Sequence, residues 1–167
     1  MIEKELKFRI YNANIEKIIE NLGAKKISQK RQEDIYLDSK ELKLFNEGKA
    51  LRLRKEDNTY YLTFKGKIHR RIPKVRKEEE LKLKKRQVKK LLRILAELGY
   101  KESIRVIKIR TEYILNEIKI AIDEVENLGK FLEIEFKDEE KARELLSNLN
   151  IKMEEALTLT YPEMLKI

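Results

Sequence analysis

The sequence predicts an α+β fold: eight β-strands closed into a barrel built from two pseudo-symmetric halves, with helices packed on its outside. Three observations lead there. Eight segments alternate with a period of two, and on nearly all of them one face is aliphatic and the other charged. Three further segments carry apolar residues at helical spacing. The order strand, helix, three strands also occurs twice. Glu5-Leu-Lys-Phe8 leads through a helix to Leu22-Gly23, and Glu80-Leu-Lys-Leu83 leads through a helix to Leu98-Gly99, about 75 residues further on. A repeat this long that occurs only twice is a duplicated half-barrel rather than a solenoid. A symmetric pairing of two four-stranded halves closes the sheet. The halves fall at about residues 1–72 and 73–150 of a single domain spanning 1–167, and 151–167 form a tail.

The first strand is 2–9. Glu3, Glu5, Lys7 and Arg9 share one face, while Ile2, Leu6 and Phe8 lie with Lys4 on the other. Asn12 or Asn14 caps a helix whose apolar positions are Ile15, Ile18, Ile19 and Leu22, and Gly23 stops it. Lys25 to Asp38 holds the second strand, with Gln32, Asp34 and Tyr36 in one phase. Ser39 to Gly48 reads as a polar connection. Strand three, Ala50 to Arg54, sets Arg52 and Arg54 against Leu51 and Leu53; Glu56-Asp-Asn58 turns the chain into strand four, Thr59 to Lys65. A basic loop, 66–73, follows.

Strand five, Lys74 to Leu83, puts Lys74, Arg76, Glu78, Glu80 and Lys82 on one face. A helix with Val88, Leu91, Leu92, Leu95 and Leu98 as its buried stripe ends at Gly99. Strand six carries Lys108 and Arg110, strand seven (Glu117 to Val125) carries Asp123, and strand eight (Lys130 to Phe136) carries Glu133 and Glu135. Asp138 caps a last helix with Ala142, Leu145, Leu146 and Leu149.

Composition narrows the function. Of 167 residues, 41% are charged and 41% hydrophobic, too apolar for a disordered polyelectrolyte and enough for one well-cored domain. The net charge of +9 suits an anionic partner. The absence of cysteine excludes disulfides and thiolate metal sites, and a lone histidine, His69, excludes a Ser-His-Asp triad or a multi-histidine metal centre. His69 reads as a solvated loop residue. No segment is long and apolar enough to span a membrane, and the reading is cytoplasmic. The Lys-, Glu- and Ile-rich composition points toward a thermophile.

A sheet covered by helices buries its aliphatic face under them. In a barrel with external helices the charged faces therefore point inward, where charge is costly unless paired, hydrated or bound to a ligand. A lumen that mixes carboxylates with Arg and Lys suits a polyanion held with divalent cations. Arg and Lys neutralise phosphate oxygens, and carboxylates hold Mg²⁺ or Mn²⁺. The other reading is a flat sheet with one solvated, salt-bridged face. Such a face carries more Ser, Thr, Asn and Gln, whereas here charges recur in phase on almost every strand.

The residues resemble the CYTH superfamily, the triphosphate tunnel metalloenzymes. Glu3-Lys-Glu-Leu-Lys7 matches the Glu-x-Glu-x-Lys signature of that group. The likeness continues through Asp34-Ile-Tyr-Leu-Asp38, Leu51-Arg-Leu-Arg54, Thr63-Phe-Lys-Gly66, Arg76 with Glu78 and Glu80, Lys108 with Arg110, Ile122-Asp-Glu-Val125 and Leu128-Gly-Lys-Phe-Leu-Glu-Ile-Glu135. It is closest to the class IV adenylyl cyclase and thiamine triphosphatase group. The resemblance implies an eight-stranded antiparallel tunnel with Mg²⁺ or Mn²⁺ as cofactor. It implies metal ligation by Glu3, Glu5, Glu133 and Glu135, and triphosphate binding by Arg52, Arg54, Lys65, Arg76, Lys108 and Arg110. Lys7 and Asp123 take catalytic roles; Arg9, Glu78, Glu80 and Tyr161 are further site candidates. It also implies a tail that covers one tunnel mouth and a homodimer.

Two reactions fit such a tunnel. In a cyclase the ribose 3′-hydroxyl of ATP attacks the α-phosphate, giving cyclic AMP and pyrophosphate. In a triphosphatase water attacks the terminal phosphate of inorganic triphosphate, thiamine triphosphate or a nucleoside triphosphate. The resemblance favours the first. A barrel that binds RNA or polyphosphate without turnover is a third reading, opposed by in-phase acids that would repel a nucleic-acid backbone. Lys67, His69, Arg70 and Arg71 make the 66–73 loop either an anion-attracting lid or a solvated loop.

Overall fold

The computed structural model describes residues 2–69 and 72–166, with the side chains of Ile2 and Glu3 left aside. Eight strands form a closed antiparallel barrel: β1 (Ile2–Arg9), β2 (Lys25–Asp38), β3 (Ala50–Glu56), β4 (Thr59–Lys65), β5 (Lys74–Leu83), β6 (Lys101–Leu115), β7 (Ile118–Val125) and β8 (Gly129–Glu135). The ring order is β1-β5-β4-β3-β2-β6-β7-β8, with β8 returning to β1. Exchanging β1–β4 for β5–β8 in this ring gives the same ring, as a duplicated half requires. The two seams, β1 with β5 and β2 with β6, pair equivalent strands of the two halves.

The helices lie outside, as the aliphatic faces demand. α1 (Ile15–Asn21) and α4 (Glu139–Asn148) cover the outer faces of β1, β7 and β8. Leu6, Phe8, Ile120, Ile122, Leu132 and Ile134 pack there with Ile15, Ile19, Leu145 and Leu146 in the largest apolar cluster. Asp138 caps α4, accepting from the backbone N–H of Glu140 and Lys141. α3 (Lys85–Glu97) packs on the other side of the barrel, against Leu37, Leu53 and Leu83. Its Val88, Leu91, Leu92 and Leu95 are half-buried. Leu98, expected on the same stripe, lies past the helix end and is 67% exposed.

Two short helices were not legible in the sequence. α2 (Lys43–Asn46) forms within the expected polar connection because the buried Asp38 carboxylate accepts from the N–H of Ser39, Leu44 and Phe45. Asp38→Ala leaves these donors in a part-buried site, and should lower the unfolding free energy by about 1–3 kcal/mol in a denaturant titration. α5 (Tyr161–Leu165) is started by a capping box between Thr160 and Glu163, with Pro162 in its first turn. No helix among the described residues is long and apolar enough to cross a membrane.

Candidate functional site: a charged lumen

Alternation along each strand, in phase around the ring, lines one cavity of about 490 Å³ inside the barrel with charge. Its walls include Glu5 and Lys7 of β1, Asp34 of β2, Arg52 and Arg54 of β3, and Lys65 of β4. Lys74, Arg76, Glu78 and Glu80 of β5, Lys108 and Arg110 of β6, and Glu133 and Glu135 of β8 complete it. Asp123 of β7 lies just behind, fully buried.

The charges are ordered in clusters. Arg54 makes a bidentate pair with Asp34, Nε to Oδ1 and Nη2 to Oδ2, both at 2.7 Å. Burial opposes ionisation of Asp34, but Arg54 and then Arg52 overcome it and hold its carboxyl far below the usual range. Arg52 donates from Nη2 to the Thr63 hydroxyl at 3.1 Å, and its buried Nε has no acceptor among the described residues. Lys65 pairs with Glu78.

On the opposite wall, Asp123 accepts from Arg110 Nε (2.7 Å) and Nη2 (2.6 Å), from Lys108 Nζ (2.9 Å) and from the Tyr161 hydroxyl (2.8 Å). Glu133 binds Lys7 Nζ at 3.1 Å through one oxygen and Arg110 through the other. Burial raises the cost of ionising Asp123, yet Arg110 and Lys108 keep its pKa low. Four donors and a lowered pKa suit an anchor for cations and not a free base. Lys7 is raised despite its burial, because Glu133 and Glu5 face it, so it stays protonated.

Tyr161 comes from the tail. α5 drives its ring into the barrel, 3.8 Å from Lys7 Nζ and 5.0 Å from Lys108 Nζ, and edge-on to Phe131. This plug explains where Arg9 lies. Although in phase with Lys7, Arg9 is exposed beyond Phe131, over that ring, and donates to the Leu128 carbonyl; it does not line the cavity.

Of the four expected metal ligands, Glu5 and Glu135 stand directly opposite each other across β1 and β8 and both line the cavity. Glu5 has no hydrogen-bond or ion-pair partner among the described residues, and Glu135 pairs only with the solvent-exposed Lys119. Glu133, one step further in, has both oxygens on cations. The side chain of Glu3 lies outside the described residues, as do Arg70 and Arg71 of the expected lid. No three acidic or histidine side chains among the described residues gather into a cage. Two inward carboxylates still fit Mg²⁺ or Mn²⁺, because Mg²⁺ commonly takes one or two protein carboxylates together with substrate phosphates.

Sequence reasoning placed Lys74 in phase with Arg76 without selecting it. It is buried, and its ammonium donates to the Leu159 carbonyl at 3.2 Å. Burial, and then Lys7, push it down to about 8; burial, and then Arg110, push Lys108 down to about 8. An anion entering the lumen restores both charges. Its binding should therefore take up protons at pH 8–9 and weaken above about pH 8, as these cations are lost. Titration calorimetry in two buffers of different ionisation enthalpy measures that uptake.

The sequence matches the CYTH domain family over residues 1–163. A protein of Methanocaldococcus jannaschii named "Putative adenylate cyclase MJ0240" is 37% identical, over 98% of this chain and 98% of that protein. Among solved structures, PH1819 from Pyrococcus horikoshii OT3 superposes with a TM-score of 0.81 at 29% identity, covering 98% of each chain. A putative adenylate cyclase from Vibrio parahaemolyticus superposes with a TM-score of 0.83 at 20% identity, over 100% of this chain and 99% of that one, and shows the shared fold. Ring order, inward charge and sequence agree: the chain belongs to the CYTH domain family.

Proposed function

We propose that this chain is a divalent-metal-dependent enzyme that holds a nucleoside triphosphate in the barrel lumen. It cleaves the substrate between the α- and β-phosphates, turning ATP into cyclic AMP and pyrophosphate. The observation that carries triphosphate chemistry is the lumen itself. Arg52, Arg54, Lys65, Arg76, Lys108 and Arg110 line one cavity, and Arg52 keeps a buried N–H without an acceptor among the described residues. An anionic chain supplies acceptors for such donors at low reorganisation cost. The cyclase form is supported by the name of the 37% identical relative, which spans nearly the whole of both chains.

In this reading the six cations bind and straighten the triphosphate. Lys7, held protonated, faces the charge that develops on the departing pyrophosphate. Asp123 and Glu133 fix the positions of Lys108, Arg110 and Lys7. Glu5 and Glu135, with Glu3 in the same phase, hold Mg²⁺ or Mn²⁺, which when bound neutralises phosphate charge. Tyr161 closes the lumen and orients Asp123.

The test is product analysis. Incubation of the protein with ATP and Mg²⁺ or Mn²⁺ should yield cyclic AMP and pyrophosphate in equal amounts. Release of orthophosphate without cyclic nucleotide would make the tunnel a triphosphatase and remove the cyclase reading.

A further inference from the structure

We propose that α3 and the outer face of β4 and β5 beside it form a docking surface for an anionic lipid bilayer. The surface lies apart from the lumen, since no residue of α3 lines the cavity, and the proposal does not depend on the triphosphate reading.

α3 is the longest helix among the described residues and the least deeply seated. α1 buries Ile15 and Ile19, and α4 buries Ala142, Leu145 and Leu146; α3 fully buries no side chain. Apolar residues stay in water at its margin: Leu98 is 67% exposed, Leu81 58%, Ile94 51% and Phe64 40%. All four border one cluster. Leu81 is the register partner of Leu62, and Phe64 of Leu51, both packed with α3; Ile94 and Leu98 lie one turn beyond the half-buried Leu91 and Leu95. α3 crosses from β5 to β6, and the right-handed crossover that is the rule turns its Ile94–Leu98 flank toward β5.

The same helix is strongly cationic. Lys84, Lys85, Arg86, Lys89, Lys90 and Arg93 are exposed, and none of them makes an ion pair among the described residues; Glu97 is the one acid of α3. Their placement works against the helix. Lys85 and Arg86 stand in the first turn, where the helix dipole favours acids. Lys85–Lys89, Lys89–Arg93 and Arg86–Lys90 are like-charge pairs four residues apart, which repel. An anionic surface offsets both penalties.

One row joins the two features. Arg86, Lys90, Ile94 and Leu98 follow one another at intervals of four, so a single exposed ridge is cationic at one end and apolar at the other. A lipid interface satisfies both ends: anionic headgroups meet the cations, and the acyl boundary takes up the apolar side chains. Nucleic acid would satisfy the cations but leave Leu81, Ile94 and Leu98 in water, and α3 carries no aromatic ring on which a base could stack. A peptide strand finds no free sheet edge, because the barrel is closed.

The experiment is co-sedimentation of the full chain with vesicles of phosphatidylcholine alone or containing about one-third phosphatidylserine. The unaltered protein should bind the anionic vesicles, not the neutral ones, and less tightly as salt is added. Arg86→Gln, Lys90→Gln and Arg93→Gln together should weaken binding at least about 10-fold, and Leu81→Gln with Leu98→Gln at least about fivefold, each variant checked by thermal melting. The chain has no tryptophan, so Leu98→Trp gives a single reporter whose emission should shift to the blue on anionic vesicles. No binding to anionic vesicles, equal binding to neutral ones, or an unshifted emission would overturn the proposal. So would full binding by Leu81→Gln with Leu98→Gln, which would leave only adsorption of a charged, solvated helix. Binding of a single-stranded RNA that the three glutamine substitutions abolish, without vesicle binding, would assign the face to nucleic acid and overturn it as well.

Discussion

Asp123→Ala should be the most destabilising single substitution in the lumen, lowering the unfolding free energy by about 3–5 kcal/mol. Asp123 is fully buried and takes hydrogen bonds from three residues on two elements, Lys108 and Arg110 of β6 and Tyr161 of α5. Among the described residues, its loss leaves Lys108 without its ion-pair partner and the Tyr161 hydroxyl without an acceptor, and Arg110 keeps only Glu133. For a chain of this size the melting temperature should fall by roughly 10 °C. The mechanism carries its own control. An anion in the lumen replaces part of the missing charge, so saturating inorganic triphosphate should restore more stability to Asp123→Ala than it adds to the unaltered protein. A melting temperature within about 2 °C of the parent would mean that the buried charge cluster does not hold the barrel and tail together.

The second large effect is on turnover. Glu5→Gln combined with Glu135→Gln should reduce metal-dependent cleavage by at least about 100-fold, roughly 2.7 kcal/mol of transition-state stabilisation. The fold should survive, since Glu5 has no partner among the described residues and the exposed Lys119–Glu135 pair is worth at most about 1 kcal/mol. Metal-free triphosphate should bind as well or better, because two repelling charges are gone. Loss of turnover with retained triphosphate binding separates metal ligation from general damage to the lumen. Turnover within threefold of the parent would place the metal elsewhere.

Much of the barrel was legible because a strand has a side-chain period of two and few positions in this chain break it. The repeat starting at Glu5 and again at Glu80 indicated two halves, and the ring order bears that out. Pairing was less legible. Asp34 with Arg54, and Glu133 with Arg110, depend on register across strands joined by hydrogen bonds or facing across the lumen, and local sequence does not encode register. Asp123 looks the same in a sequence whether it is a free base or an anchor; the four donors that converge on it come from β6 and from the tail, and local sequence does not bring them together. Arg9 illustrates a different limit. Alternation gives its face correctly, but only the bulk of Phe131 and Tyr161 puts it outside the cavity. The seating of the tail was illegible because α5 is only five residues long and its hold on the barrel is tertiary: Tyr161 on Asp123, and Leu159 on Lys74.

The central claim is that the inward charges form one receptor for a triphosphate chain. Calorimetric titration of inorganic triphosphate with Mg²⁺ into the full-length protein at neutral pH tests it most directly. The account predicts one saturable site per chain, weakened by added salt and blocked by prior addition of ATP. Absence of saturable binding, or binding that a single-stranded RNA displaces and ATP does not, would contradict it.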